Sequence, residues 1–330
     1  MKKVLKIGGY VVGGVLLLAV GYIGYIYLSY PRVSPATDMK IEATPAMLAR
    51  GDYLAHFVAG CLDCHSQRDW TKFGGPVIPG TEGKGGTEFQ KMVVDFPGTI
   101  VSHNITPYGL KDWTDGEIYR AVTTGVTKDG KALFPLMPYT GFAKMDPEDL
   151  KSIIAYLRTL PPIESPAYPY ADMNFPLNII MQTIPHDVGT PGVKPDRSDS
   201  VQYGKYLVTI AGCSDCHTPS EQGNPIPGMD FAGGMEFKSP ETGDIVRSAN
   251  ITQEVETGIG SWTEEQFLQK FQTYRDSSWH NKPVKAGEFN TAMPWLFFSG
   301  MTDGDLKSIF RYLKTIPPVV HKVEKFTAAQ

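Results

Sequence analysis

Cys61-Leu-Asp-Cys64-His65 and Cys213-Ser-Asp-Cys216-His217 use all four cysteines of the 330-residue chain. Two thiols three positions apart, followed at once by a histidine, form the attachment pattern of a c-type haem. The thiols reach the two vinyl groups of one porphyrin, and the adjacent imidazole is the proximal ligand of its iron. A zinc ribbon would place its cysteine pairs roughly 15–20 residues apart, whereas these start 152 positions apart (213 − 61). A thioredoxin-like redox pair needs a βαβ setting, which neither motif has. Disulfides in an exported chain would leave His65 and His217 without a reason to follow the second cysteine. Two covalently bound haem c groups are therefore expected.

His65 and His217 supply one axial ligand each. Met137 and Met293 are the candidates for the other. Each lies at least 72 residues beyond its histidine (137 − 65; 293 − 217 gives 76) and directly precedes a proline. Proline has a fixed φ and no N–H, which suits a rigid loop that aims a thioether. Met145 and Met301 also recur, but each precedes a helix start where packing on the first turn accounts for it. Of the remaining histidines, His56, His186, His280 and His321 read as surface or hydrogen-bonded residues. His103 adjoins the recurring Asn104-Ile105-Thr106 and is the one competitor to Met137.

Positioning these groups requires two similar units. Gly51-Asp-Tyr53-Leu and Gly204-Lys-Tyr206-Leu lead into the cysteine motifs. Asn104-Ile-Thr matches Asn250-Ile-Thr, and Trp113 matches Trp262, each placed equally well in a core or near a haem propionate. Met137-Pro138-Tyr matches Met293-Pro294-Trp. Asp149-Leu-Lys-Ser-Ile through Pro161-Pro162 matches Asp305-Leu-Lys-Ser-Ile through Pro317-Pro318. The closing segments carry apolar residues at i, i+3, i+4 and i+7 (Leu150, Ile153, Ile154, Leu157), the period of a helix with one buried face. Asp146 followed by Pro147 is a helix start. Thr114 or Asp115, and Thr263, start further helices. No segment alternates with period two, so the fold class is all-α, with much loop from 34 glycines and 26 prolines.

The first thirty residues differ from the rest. Lys2, Lys3 and Lys6 precede an uncharged run from Ile7 to Tyr30, and Tyr22, Tyr25, Tyr27 and Tyr30 crowd its far end. Twenty-four residues suffice to cross a bilayer core of about 30 Å. A cleavable signal would have an apolar region of only about 7–15 residues and a small-residue cleavage site. An uncleaved anchor is expected, with the lysines cytoplasmic and the rest outside. The division read from the sequence is an anchor over 1–32, a stalk over 33–47, cytochrome c domains over 48–164 and 198–320, a proline-rich connector over 165–197 and a tail over 321–330. The formal net charge of −4 gives no sign of nucleic-acid binding.

Taken together, these motifs resemble the cytochrome c subunits of bacterial membrane-bound alcohol and sugar dehydrogenases, over residues 48–162 and 198–318, about 240 of the 330 residues. The resemblance rests on the Gly-x-Tyr-Leu lead-in, Cys-x-x-Cys-His, Gly74-Gly75, Asn-Ile-Thr-Pro at 104–107, Glu256-Thr-Gly-Ile-Gly-Ser-Trp262, Met-Pro-Tyr at 137–139 and the closing Tyr-Leu-x-x-Leu-Pro-Pro. It implies tandem class I cytochrome c domains. Those subunits commonly carry three haem domains and are often anchored at the C-terminus; this chain has two cysteine motifs and an N-terminal apolar helix. The implied role is one-electron relay at the periplasmic face of a bacterial inner membrane. The donor would be a dehydrogenase or quinol-oxidising complex and the acceptor a respiratory one, with no substrate chemistry in this chain. A dihaem peroxidase, or a structural haem subunit of an oxidase complex, are the other classes such a chain could join.

Overall fold

The computed structural model describes residues 2–93, 96–187, 189–221 and 223–329. It is mostly α-helical. The anchor is α1 (Lys2–Ser29), 28 residues long. Among the described residues it is the one helix long and apolar enough to span a membrane. A core helix of the same composition would be covered by protein, but here Ile26 is the single buried residue of α1. The helix therefore presents its apolar surface outward, as a lipid-facing span does.

The first lobe holds α2 (Pro45–Phe57), α3 (Cys61–Cys64), α4 (Asp115–Thr124), α5 (Tyr139–Phe142) and α6 (Pro147–Leu157). A connecting segment carries α7 (Leu177–Ile180). The second lobe holds α8 (Ser200–Ile210), α9 (Cys213–His217), α10 (Glu264–Gln272), α11 (Trp295–Phe298) and α12 (Asp303–Leu313). Helix starts follow local chemistry. Thr114 caps α4 and Thr263 caps α10, each in a full capping box with Glu117 or Gln266. Asp146 caps α6 with Pro147 in the first turn, where the missing N–H is harmless.

In each lobe the lead-in helix crosses the closing helix, α2 on α6 and α8 on α12. The crossing is close because both lead-in helices offer a glycine. A Cβ on Gly51 would lie 1.9 Å from the Ser152 carbonyl oxygen, and one on Gly204 would lie 1.9 Å from that of Ser308. Met145 and Met301, each 2% exposed, sit in the core with Leu150 and Leu306, which accounts for them by packing.

Among the described residues, sheet is limited to three small antiparallel pieces. β1 (Gly98–Thr99) pairs with β2 (Asp172–Met173) of the connecting segment, and Met173 and Met181 are buried against Ala132. Proline richness suggested an extended linker, but this segment packs on the first lobe through apolar side chains that a count of prolines ignores. β3 (Ser220–Glu221) and β4 (Asn224–Pro225) make a hairpin. β5 (Glu236–Lys238), β6 (Ile245–Arg247) and β7 (Phe326–Thr327) form a three-stranded sheet, so the chain's end joins the second lobe as a strand.

Candidate functional site

Both cysteine pairs stand on one-turn helices that follow a left-handed glycine, Gly60 (φ 70°) or Gly212 (φ 64°). Positive φ is cheap for glycine and lets the chain turn sharply off α2 or α8. Residues i and i+3 of a helix share a face, so the thiols of Cys61 and Cys64, and of Cys213 and Cys216, lie side by side. None is in a disulfide, and Cys64 and Cys216 are exposed. Yet burial pushes all four thiols up to about 12. Cys64 is raised by burial first, then by charge on Asp63, Cys61 and, across the lobes, Cys216.

The histidines are oriented alike. His65 Nδ1 lies 2.7 Å from the carbonyl oxygen of His103, and His217 Nδ1 lies 2.7 Å from that of Ala249. A carbonyl only accepts, so Nδ1 carries the proton and Nε2 keeps its lone pair, the arrangement of an imidazole prepared to ligate a metal. Burial draws His65 down to about 4 and draws His217 downward, against the pull of the carbonyls. Both rings stay neutral at ordinary pH.

The same contacts explain the Asn-Ile-Thr landmark. Asn104 Oδ1 accepts from the Thr106 amide and hydroxyl (2.9 and 2.7 Å), and its Nδ2 donates to the Ile163 carbonyl at 2.7 Å. Asn250 does likewise with Thr252 (3.0 and 2.8 Å) and the Val319 carbonyl (2.8 Å). In each lobe the asparagine ties the loop that supplies the histidine's acceptor to the chain just beyond the Pro-Pro stop. His103 contributes to this site through its backbone, behind His65. Its ring stacks on Tyr170 at 4.7 Å. His56 pairs with Asp52, and His186 and His321 hydrogen-bond to the carbonyls of Ile184 and Ala232.

Met137 and Met293 are half-buried against the core, unlike Met145 and Met301. Each stands before a proline at φ −77°, ψ 56° (Pro138) or φ −79°, ψ 64° (Pro294). The methionine carbonyls accept from the amides two residues on, Tyr139 at 2.7 Å and Trp295 at 2.8 Å. These are inverse γ-turns, for which proline's fixed φ is well suited. Trp113 and Trp262 are partly buried against the core.

The lobes are locked by a reciprocal contact that the sequence reading missed. Tyr53 Oη donates to Asp305 Oδ2 at 2.7 Å, and Tyr206 Oη donates to Asp149 Oδ2 at 2.7 Å. The two tyrosines hold the same place in the repeat, as do the two aspartates. Each phenol oxygen also accepts the amide at the start of the partner lobe's closing helix, Thr302 at 3.1 Å and Asp146 at 3.3 Å. Burial first, then the adjacent carboxylate, holds both phenols well above their usual range. The available signal was the recurrence of polar Tyr and Asp inside amphipathic helices. A second strap joins Asn290 Oδ1 to the Gly74 amide at 2.8 Å.

The donor set fits haem. Each lobe offers paired thiols on one face, a neutral imidazole with Nε2 free, and a methionine on a rigid turn. Among the described residues no cluster of three or more His, Cys, Asp or Glu is arranged for a bare metal ion. The apolar α1 and the two cysteine–histidine motifs are those of a membrane-anchored, dihaem-type cytochrome c, and the chain resembles the cytochrome c subunits of bacterial dehydrogenase complexes. It is 31% identical over 294 residues to the cytochrome c subunit of a quinone-dependent alcohol dehydrogenase of Gluconacetobacter polyoxogenes, covering 84% of this chain and 58% of that protein. It is 28% identical over 300 residues to the fructose dehydrogenase cytochrome subunit of Gluconobacter japonicus, covering 87% and 56%. A dihaem cytochrome c-type protein of Cereibacter sphaeroides is 32% identical over 179 residues, covering 52% and 57%. The chain thus spans little more than half the length of these curated relatives. The first two are named as the cytochrome subunits of their dehydrogenases. No family model matches the chain.

Proposed function

We propose that this protein is a dihaem electron relay. Cys61, Cys64, His65 and Met137 would hold one haem c, and Cys213, Cys216, His217 and Met293 the other, in tandem class I cytochrome c domains. When bound, each haem supplies a one-electron iron couple. The rest is the chain's work. The thioether-forming cysteines fix each site to a rigid turn. The carbonyls of His103 and Ala249 hold the imidazoles in the ligating tautomer. The Met-Pro turns would offer a soft sulfur as a second ligand, and His/Met ligation would raise the potential of the bound haem. The Tyr–Asp pairs hold the two sites at a fixed separation.

The observation that carries the reading is this duplication of the same histidine–carbonyl and Met-Pro geometry in both lobes. An enzyme of the dihaem peroxidase kind would need one site unlike the other at the distal ligand. The likeness to dehydrogenase cytochrome subunits supports a dehydrogenase or quinol-oxidising donor and a respiratory acceptor. Lys2, Lys3 and Lys6 support a cytoplasmic N-terminus by the positive-inside rule, and with it periplasmic lobes. Redox titration of the full chain in nanodiscs, with peroxide added at half reduction, tests this. Two one-electron steps and no peroxide consumption are expected. Peroxide turnover at the half-reduced stage would refute the relay.

A further inference from the structure

The connecting segment carries an apolar surface that neither lobe uses. Phe175, just before α7, is 75% exposed, and Ile180, at its end, is 50% exposed. Leu177 and Met181 of the same stretch turn inward to the small core with Met173. The segment is therefore two-sided, with one side packed on the first lobe and the other bare.

Its position relative to the anchor decides what covers the bare side. The C-terminal end of α1 packs on α7 and on the 3-10 turn Met181–Thr183, and Ile26 is buried there. Beyond the helix the two segments continue together. The backbones of Arg32 and His186 form a parallel β-bridge, the Ser34 amide donates to Asp187 Oδ1 at 3.0 Å, and the Ser34 hydroxyl donates to Oδ2 at 2.8 Å. A rise of 1.5 Å per residue puts Ile26 about 29 Å along the helix from Ile7, the first residue of the uncharged run, and a hydrocarbon core is about 30 Å thick. Ile26, and hence α7, lies at the outer edge of the hydrocarbon layer. Arg32 lies 2.6 Å from the Tyr25 hydroxyl, and its guanidinium sits 4.7 Å from the centre of the Tyr30 ring. A cation among tyrosines is what the headgroup zone holds.

We infer that Phe175 and Ile180 insert into the lipid interface, so that the connecting segment is a second, monotopic membrane contact beside α1 and presses the first lobe onto the bilayer surface. Apolar side chains at this depth gain by entering the headgroup–acyl boundary. The continuity with the anchor, and not exposure alone, selects lipid over a protein partner. Val255 and Val320 are 63% and 83% exposed but belong to the second lobe, whereas the connecting segment is what packs on α1.

The full chain in phosphatidylcholine nanodiscs, doped with a phospholipid carrying a diazirine near the glycerol end of its acyl chain, tests this by photolabelling and peptide mapping. Adducts are expected on the peptide bearing Phe175 and Ile180 as well as on α1, and not on those bearing Val255 or Val320. With Phe175→Ser and Ile180→Ser combined, α1 should stay labelled while the connector adduct is lost. Labelling of α1 alone, equal labelling of all exposed apolar sites, or an unchanged connector adduct in the double variant would each overturn the inference.

Discussion

Between the cysteines of the first lobe, Asp63 pairs with Arg68 at 2.8 Å, and that guanidinium also lies over Trp70 and donates to the Gly74 and Gly75 carbonyls. At the matching place in the second lobe, Asp215 has Ser220 where the first lobe has Arg68 (68 + 152). It is raised by burial and is countered by Ser214 and by the charge of Lys144 from the first lobe. The scaffold is thus duplicated more faithfully than the electrostatics around it. Contacts that place ligands recur nearly atom for atom, whereas charges near each site have diverged. Two sites of one ligand chemistry can in this way hold electrons at different potentials, which is useful to a relay and costs the scaffold nothing.

The interface shows the same split. Asp149 is 1% exposed and binds Arg50 and Lys194, each at 2.7 Å, besides Tyr206; Asp305 is 0% exposed and binds Arg197 at 3.0 Å besides Tyr53, but Arg197 is itself 59% exposed. Removing one partner of a buried pair costs about 3–5 kcal/mol. Asp149→Ala should approach that value in unfolding of the detergent-solubilised chain. Asp305→Ala should cost nearer the roughly 1–3 kcal/mol of an orphaned buried group, because its cation falls back into water. Equal losses would mean that the two pairs are energetically alike.

Acid should unlock the first of these pairs. Burial works to raise Asp149, but Arg50, Lys194 and Tyr206 outweigh it, and its carboxyl is held below the ordinary 3.8. A depressed acid contributes stability fully above its unfolded value and loses it as pH falls through the folded one. Wild-type protein should therefore lose more stability than Asp149→Ala on acidification below pH 3.8. Parallel pH profiles for the two would contradict the pairing.

The helix crossings should respond alike. Gly51→Ala and Gly204→Ala each drive a methyl into a carbonyl oxygen 1.9 Å away, and overpacking of this kind costs about 1–3 kcal/mol. Matched losses are expected, and a silent variant in either lobe would break the equivalence. The smallest effect is electrostatic. Arg68→Gln removes a positive charge near the first site and should lower one of the two midpoint potentials by on the order of 70 mV, taking a unit charge roughly 10 Å away at an effective dielectric of about 20. No shift in either midpoint would mean that Arg68 is structural only.

What the sequence made legible was what each unit repeats. The paired thiols with their histidine, the Met-Pro turns and the Asp146-Pro147 helix start were visible because each needs particular residue types at fixed short spacing. The anchor was visible because hydropathy is a property of a continuous run. The roles of His103 and Ala249 were not, since a backbone carbonyl has no residue signature: one lobe uses a histidine and the other an alanine for the same acceptor. The Tyr53–Asp305 bond joins residues 252 apart, and no local pattern announces such a partner. The connector misled for a related reason. Its prolines describe backbone stiffness, while Met173 and Met181 decide where it packs.

The central claim is that two equivalent Met-ligated sites serve as separate stations of one relay. Redox titration of the nanodisc-embedded chain with Met137→His and with Met293→His tests it most directly, because replacing the thioether with imidazole would remove the ligand proposed to raise the potential. The account predicts two one-electron steps in the wild type and, in each variant, a large fall of one midpoint with the other nearly unmoved. A variant that leaves both midpoints where they were would show that its methionine is not a ligand, and the equivalence of the two lobes would fail with it.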